Sequence, residues 1–218
     1  NHPGVSGKMF SVLGNNGINI RAIAQGSSEK NITAVVEAQD VPKSVTLLHE
    51  AFFETGYKQV HVYIAGVGNV GGKLIEQIKK QADYLQKHLR LQVNIVGIAN
   101  SKKQLINTAG IDASHAHDWS DQLSAASSGN THAGTIQDFV NAIIEHNLPN
   151  SIFVDITANA TVADTYAQLL SHSVSVVACN KIACSSAYPH YAKLKALASK
   201  RHAAFLFETN VGAGLPII

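Results

Sequence analysis

The sequence predicts an α/β chain, a doubly wound parallel sheet preceded by a small α+β unit. Three observations predict it. A full G-x-G-x-x-G, Gly66-Val67-Gly68-Asn69-Val70-Gly71, stands between a β-branched run and an amphipathic run. From Val60 onward, short apolar segments alternate with segments of helical period. Before Val60 the order is instead helix, strand, strand, helix. Apolar strands alternating with helices are the pattern of a parallel sheet covered on both faces.

The elements follow in order. Residues 4–14 place Val5, Met9, Val12 and Leu13 on one helical face, with Gly14 as a C-cap. Asn15-Asn16-Gly17 is a turn signal. Ile18, Ile20, Ala22 and Ala24 alternate with polar residues as a half-buried strand does, and 32–38 read as its return after a polar reversal. Val41-Pro42 opens a second helix with Val45, Leu48, Ala51 and Phe52 along its face. This first unit, 1–56, has too little core to stand alone, and it lacks the outer strands of a ferredoxin-like βαββαβ module. A missing first strand is expected before Asn1.

The second unit, 57–218, opens with the strand Val60–Ala65 and a helix from about Val70 to His88. The run 91–99 is the second strand. Residues 100–135 are irregular, and the Ser/Ala/Gly-rich stretch 124–134 reads as loop. Then come a helix at 136–146, a strand at 151–156, a helix at 161–172, a strand at 174–178, a helix at 187–200 and a strand at 203–207.

Composition narrows the function classes. Of 218 residues, 45% are apolar and 15% charged, as in an ordinary soluble globular chain. A net charge of +2 is too small to argue for nucleic acid or an anionic membrane surface. No apolar run is long enough to cross a bilayer, and no signal peptide opens the chain. Two cysteines, Cys179 and Cys184, are too few for a disulfide scaffold, so a reducing cytoplasm is the expected compartment. The start at Asn1 without Met, and an apolar end at Ile218 without a stop signal, suggest a piece of a longer protein.

The glycines sit where a strand turns into a helix, the context of a Rossmann dinucleotide fingerprint. Gly66 permits the tight turn. Gly68 has no side chain to keep a pyrophosphate off the backbone. Gly71 lets the helix pack closely on the strand. Free amides at the helix start then meet the phosphate charge. Cofactor choice is read at the end of the second strand, Ala99-Asn100-Ser101-Lys102-Lys103. No carboxylate is there to bond a ribose 2′-hydroxyl. A 2′-phosphate would be attracted to Lys102, so NADP is expected over NAD. Lys103 reads as part of a solvated face.

Ligands of open α/β sheets bind beyond the carboxyl ends of the strands. That places Thr157 and Asn159 in the cleft, although Asn159 or Thr161 could equally cap the next helix. Lys181 ends the following strand and could bind a carboxylate or donate a proton to a developing alkoxide. Cys179 and Cys184 have neither redox nor zinc spacing and read as packing residues. His115-Ala116-His117 lacks a third clustered metal ligand.

Several of these stretches together resemble a known family. GVGNVGG at 66–72, IANSK at 98–102, VDITA at 154–158, NK at 180–181 and ETNVGAGLPII at 208–218 look like homoserine dehydrogenase. The stretch 3–33, PGVSGKMFSVLGNNGINIRAIAQGSSEKNIT, looks like the last regulatory (ACT) segment of an aspartokinase. Their order resembles the joining region of the bifunctional aspartokinase/homoserine dehydrogenases.

The resemblance implies a partial ACT unit before a Rossmann domain that interconverts L-aspartate 4-semialdehyde and L-homoserine with NAD(P), in threonine and methionine synthesis. It implies that Gly68, Asn69 and Val70 hold the pyrophosphate, Ala99 and Lys102 the adenosine side, and Thr157 and Lys181 the nicotinamide side. It implies a monovalent cation such as Na+ at Glu208 and the carbonyls of Val211, Ala213 and Leu215. It also implies a threonine effector around Asn15, Asn16 and Gln25, and a homo-oligomer. The kinase region and the substrate and dimerisation region of the family have no counterpart here. The piece is therefore expected to bind cofactor and to turn over nothing alone. The alternatives are an amino-acid-sensing module acting through 1–56, or another semialdehyde or amino-acid dehydrogenase on the same fold.

Overall fold

The computed structural model describes residues 3–26, 31–53, 57–111, 118–124, 131–132 and 134–210. The first unit contains α1 (Val5–Asn15), β1 (Ala22–Gln25), β2 (Ile32–Val35) and α2 (Val41–Phe52). The second contains β3 (Lys58–Ala65), α3 (Asn69–Leu89), β4 (Leu91–Ala99), β5 (Gln104–Ile106), α4 (Asp118–Ser124), β6 (Thr131–His132) and α5 (Ile136–His146). It continues with β7 (Ser151–Asp155), α6 (Ala160–Ala163), α7 (Tyr166–Ser171), β8 (Ser175–Ala178), α8 (Ile182–Ser185), α9 (Tyr188–Lys200) and β9 (Phe205–Leu206).

In the first unit α1 and α2 pack around a small cluster of Leu13, Ile18 and Leu47. Helix α1 runs past Gly14 and is capped at Asn16. β1 and β2 pair antiparallel, Ala22 opposite Val35 and Gln25 opposite Ile32. The half-buried strand expected from Ile18 is corrected here. Ile18 is held by a backbone bond to the end of α1, pairing starts only at Ala22, and all four residues of β1 are exposed. Its partner β2 does alternate, with Ile32 and Ala34 half-buried between exposed Thr33 and Val35. The face of α2 is also rotated from the expected one. Lys43, Ser44 and Leu47 are buried, while Val45 is 61% exposed.

The second unit is one seven-stranded sheet in the order β6-β5-β4-β3-β7-β8-β9. β4, β3, β7, β8 and β9 run parallel. β5 and β6 run antiparallel at the far edge, so the sheet is mixed rather than wholly parallel. They occupy the stretch expected to be irregular. Three residues and two residues are too short for any periodicity to register.

Each face of the sheet buries its own core. On one, Phe139, Phe153, Tyr166, Phe205 and Phe207 form a chain of rings with successive centroids 6.4, 6.5, 5.9 and 5.0 Å apart, beneath α5, α7 and α9. Such separations suit tilted and edge-to-face aromatic pairs. On the other, Ile64, Ile75, Ile98 and Leu123 pack beneath α3 and α4. The helix expected at 161–172 is broken into α6 and α7. The Thr165 hydroxyl donates to the carbonyl of Val162 at 2.7 Å, a back-bond that bends helices. Among the described residues no helix is long and apolar enough to cross a membrane.

The two units meet at the amino-terminal edge of the sheet. Asn147, after α5, donates to the Asp40 carboxylate at 2.9 Å and accepts from Lys43 Nζ at 3.3 Å.

Gly97 is a pressure point between β3 and β4, where the register slips after Val62. A Cβ there would stand 2.5 Å from Tyr63 Cδ1 and 3.1 Å from Phe139 Cζ. Gly97→Ala should therefore destabilise the fold by about 1–3 kcal/mol, read by denaturant unfolding. Unchanged stability would show that the rings have room to move.

Candidate functional site

The fingerprint forms the turn from β3 into α3. Gly66 has φ +97°, and a Cβ on it would lie 2.7 Å from the carbonyl oxygen of Ile156. Only glycine combines that conformation with that approach. A Cβ on Gly71 would lie 2.3 Å from the Gly66 oxygen, so helix and turn are in direct backbone contact. Gly68 is different. Its backbone is extended, and a Cβ on it would meet nothing within 4 Å.

Gly68 is the N-cap of α3 and offers no side-chain cap bond, and the first turn holds no acidic residue. Asn69 and Val70 are exposed there, Val70 at 64%. The first amides of a 21-residue helix thus open onto unobstructed space, a local field suited to a phosphate group. This is the observation by which the chain fits a dinucleotide.

A cleft of about 360 Å³ lies beside the turn, beyond the carboxyl ends of β3, β4 and β7. Its walls include Gly66, Ala99, Asn100, Thr135, Thr157 and Asn159. Strand ends are held in line by backbone bonds from Gly66 N to Ala99 O at 2.9 Å and from Ile156 N to Ala65 O at 2.8 Å. One wall is the start of α5, closed by a capping box. Thr135 Oγ1 accepts from the amide of Asp138, whose carboxylate accepts from the Thr135 amide at 2.7 Å. The Thr135 amide, with the Thr135 hydroxyl that also donates to Asp138 Oδ2 at 2.8 Å, holds the Asp138 carboxyl below the usual carboxylate range.

The residues singled out in sequence divide by position. Gly66, Ala99 and Thr157 line the cleft. Gly68, Asn69 and Val70 are exposed at the adjoining helix start, with Gly71 buried beneath them. Lys102 is exposed on a turn whose amides 102 and 103 both donate to Asn100 Oδ1 at 2.8 Å. Lys103 is not simply solvated, because its Nζ donates to the carbonyl of Ser124 at 2.6 Å. Asn159 lines the cleft and also caps α6 through the Thr161 amide at 2.8 Å.

Lys181 is exposed, one residue before α8. Its neighbour Asn180 reaches Thr157 Oγ1 at 3.5 Å, which brings the loops after β7 and β8 together. Glu208 lies in a short 3-10 turn beyond β9, while Val211, Ala213 and Leu215 lie outside the described residues. So do His115 and His117. Asn16 lies at the end of α1 and Gln25 on β1, where it accepts from Ser6 Oγ at 3.4 Å. No hydrogen bond joins Asn16 and Gln25 among the described residues. Cys179 and Cys184 are both half-buried thiols, and burial raises the Cys184 pKa.

A buried network was missed in sequence. Asp155 is fully buried at the end of β7. Its oxygens accept from the Thr157 amide at 2.7 Å, the Tyr166 hydroxyl at 2.6 Å and Asn180 Nδ2 at 3.0 Å. Burial, then the nearby carboxylate, keeps the Tyr166 hydroxyl protonated far above its ordinary range. Asn180 also donates to Asn159 O at 2.9 Å and accepts from the Ile182 amide at 3.1 Å. The signal in sequence is an Asp closing an otherwise apolar strand, where an unpaired carboxyl would be costly.

Residues 66–208 match the family described as "Homoserine dehydrogenase, NAD binding domain". The chain belongs to that family. Residues 1–52, ahead of the homoserine dehydrogenase domain, match the family described as "ACT domain". The bifunctional aspartokinase/homoserine dehydrogenase of Haemophilus influenzae is 38% identical over 215 residues, 99% of this chain and 25% of that protein. The chloroplastic bifunctional aspartokinase/homoserine dehydrogenase 1 of Arabidopsis thaliana is 37% identical over 217 residues, 99% of this chain and 23% of that protein. The chain spans about a quarter of the length of these relatives. A hyperthermophilic archaeal homoserine dehydrogenase solved in complex with NADPH shares the fold, with a TM-score of 0.57 and 24% identity over 73% of this chain and 47% of that one.

The first two glycines of the turn, Gly66 and Gly68, make a paired test. Gly66→Ala should lower stability by roughly 1–3 kcal/mol through backbone strain, and by more if the clash with Ile156 is not relieved. Gly68→Ala should leave the melting temperature unchanged or slightly raised, since its backbone suits any residue. Equal effects of the two would contradict the assigned geometry.

Proposed function

We propose that the chain is the cofactor-binding part of a homoserine dehydrogenase that takes NADP(H) to interconvert L-aspartate 4-semialdehyde and L-homoserine, in threonine and methionine synthesis. The observation that carries this reading is the open start of α3 at Gly68, beside a cleft at the point where strand order reverses around β3. Family membership supplies the reaction class. The bound nicotinamide would supply or accept the hydride.

The chain's own residues take these roles in the proposal. Gly66, Gly68 and Gly71, with the amides of Asn69 and Val70, bind the pyrophosphate. Ala99 packs on the adenosine, and Lys102 pairs with the 2′-phosphate. Support for NADP is the exposed Lys102 on a turn that carries no carboxylate from 99 to 103. Thr157 orients the nicotinamide side. Lys181 holds a substrate carboxylate or gives a proton to the alkoxide oxygen that forms when the aldehyde is reduced. Asn180 positions both loops.

The proposal further divides the chain at 56/57, an ACT regulatory unit ahead of the dehydrogenase domain. Threonine is the proposed effector, at Asn15, Asn16 and Gln25. A monovalent cation such as Na+ is proposed at Glu208 with the carbonyls of Val211, Ala213 and Leu215, because carbonyl oxygens suit a hard cation. The exposed ribbon β1–β2 favours self-association, since unpaired strand edges and apolar faces invite a second copy. Residues beyond this chain would complete the substrate side, so the chain alone is proposed to bind cofactor without turnover. Two half-buried thiols fit a reducing compartment, the cytoplasm being the proposed one.

Titration with NADPH and with NADH, followed by nicotinamide fluorescence, tests the assignment. Lys102→Glu should weaken NADPH by about tenfold and leave NADH nearly unchanged, as expected for loss of one charge-assisted contact. Equal loss for both cofactors, or none for NADPH, would contradict Lys102 as the phosphate reader.

A further inference from the structure

The junction between the two units contains a second polar cavity, at the opposite end of the sheet from the cofactor cleft. Its volume is about 480 Å³, and it is walled by α1, α2 and the amino-terminal ends of β3, β7 and β8. Lys8, Lys43, Lys58 and His202 line it, together with hydroxyl side chains such as Ser173 and Ser175. None of its lining residues is Asp or Glu. Such a wall of cations and neutral donors favours negative charge.

Lys43 makes the case specific. It is only 8% exposed, on the buried face of α2. Its one hydrogen-bond partner among the described residues is the Asn147 side-chain oxygen, at 3.3 Å. The Asp40 carboxylate, which also acts on it, is bonded to Asn147 Nδ2, and Asp40, Asn147 and Glu145 line a neighbouring cavity that Lys43 borders as well. A buried ammonium with one long neutral bond is poorly compensated. Burial accordingly pulls the Lys43 pKa below the ordinary lysine value, against the opposing pull of Asp40. Lys8 Nζ bonds the carbonyl of Ala51 and lies 5.1 Å from the centre of the Phe52 ring, and the exposed Lys58 stands near the half-buried Glu50, which does not line the cavity.

We propose that this junction cavity binds a small anion bearing a carboxylate or phosphate group, held by Lys43, Lys58 and Lys8 between the N-terminal unit and the lower edge of the sheet. A free amino acid is a poorer fit than a simple anion, because no lining carboxylate receives an α-ammonium. Contacts from both units would tie α2 to the sheet and strengthen their docking. This reading stands apart from the cofactor assignment, which concerns the other end of the strands.

Calorimetric titration of the whole chain at pH 7 and low salt, with inorganic phosphate and with succinate, tests it. Saturable one-site binding is expected, weakened by added salt. Lys43→Met and, independently, the exposed Lys58→Gln should each weaken it by about tenfold, while NADPH binding stays unchanged. Binding of phosphate alone assigns a phosphate ligand, and of succinate alone a carboxylate. The proposal falls if neither anion saturates, if only L-threonine binds, or if both lysine variants bind as the parent does.

Discussion

The cofactor side of this molecule depends on how Asp155 is satisfied. A fully buried carboxyl group cannot be left without partners. Here its two oxygens take three donors, from the loop after β7, from α7 and from the loop after β8. Those donors fix Thr157 and Asn180, and Asn180 in turn fixes the Asn159 carbonyl and the start of α8. The loops around the cleft are therefore tied to a single buried group. The Gly66–Gly71 turn faces them across a backbone approach too close for any Cβ. Rigid strands set the distance, and polar bonds at their ends set the direction.

The two ends of the sheet are built differently. At the carboxyl end the chain exposes helix amides and open space. At the amino end five non-glycine residues, Arg90, Asn147, Asn150, Ser173 and His202, adopt positive φ where helices return to strands. Asn147 uses both ends of its amide to reach Lys43 of α2 and Asp40, the residue before that helix. A ligand at either end would act on strands that the other end shares. The strands that border both the cleft and the junction cavity are β3 and β7.

What the sequence made legible was whatever period and glycine encode. The strand–turn–helix at 60–72 could be read because Gly66 and Gly71 leave no space for a side chain and the flanking runs have clean periods. The alternation from β7 to β9 was readable for the same reason. β5 and β6 were not, because elements of three and two residues carry no period. The break between α6 and α7 hid in one hydroxyl, that of Thr165, which is unremarkable in a sequence. The buried face of α2 was misjudged because tertiary contact with α1 and with Asn147, not apolar pattern, decides which residues are inside. The Asp155 network was invisible as a network, since its members lie 11 and 25 residues apart.

The start of α3 and the neighbouring cleft are proposed to receive a dinucleotide phosphate, and a crystal structure of the chain grown with NADPH would test this. Pyrophosphate density is expected over Gly68 and the first turn of α3, adenosine against Ala99 and the start of α5, and nicotinamide toward Thr157. Density at the junction cavity instead, or a cofactor bound with its phosphates away from Gly68, would contradict it.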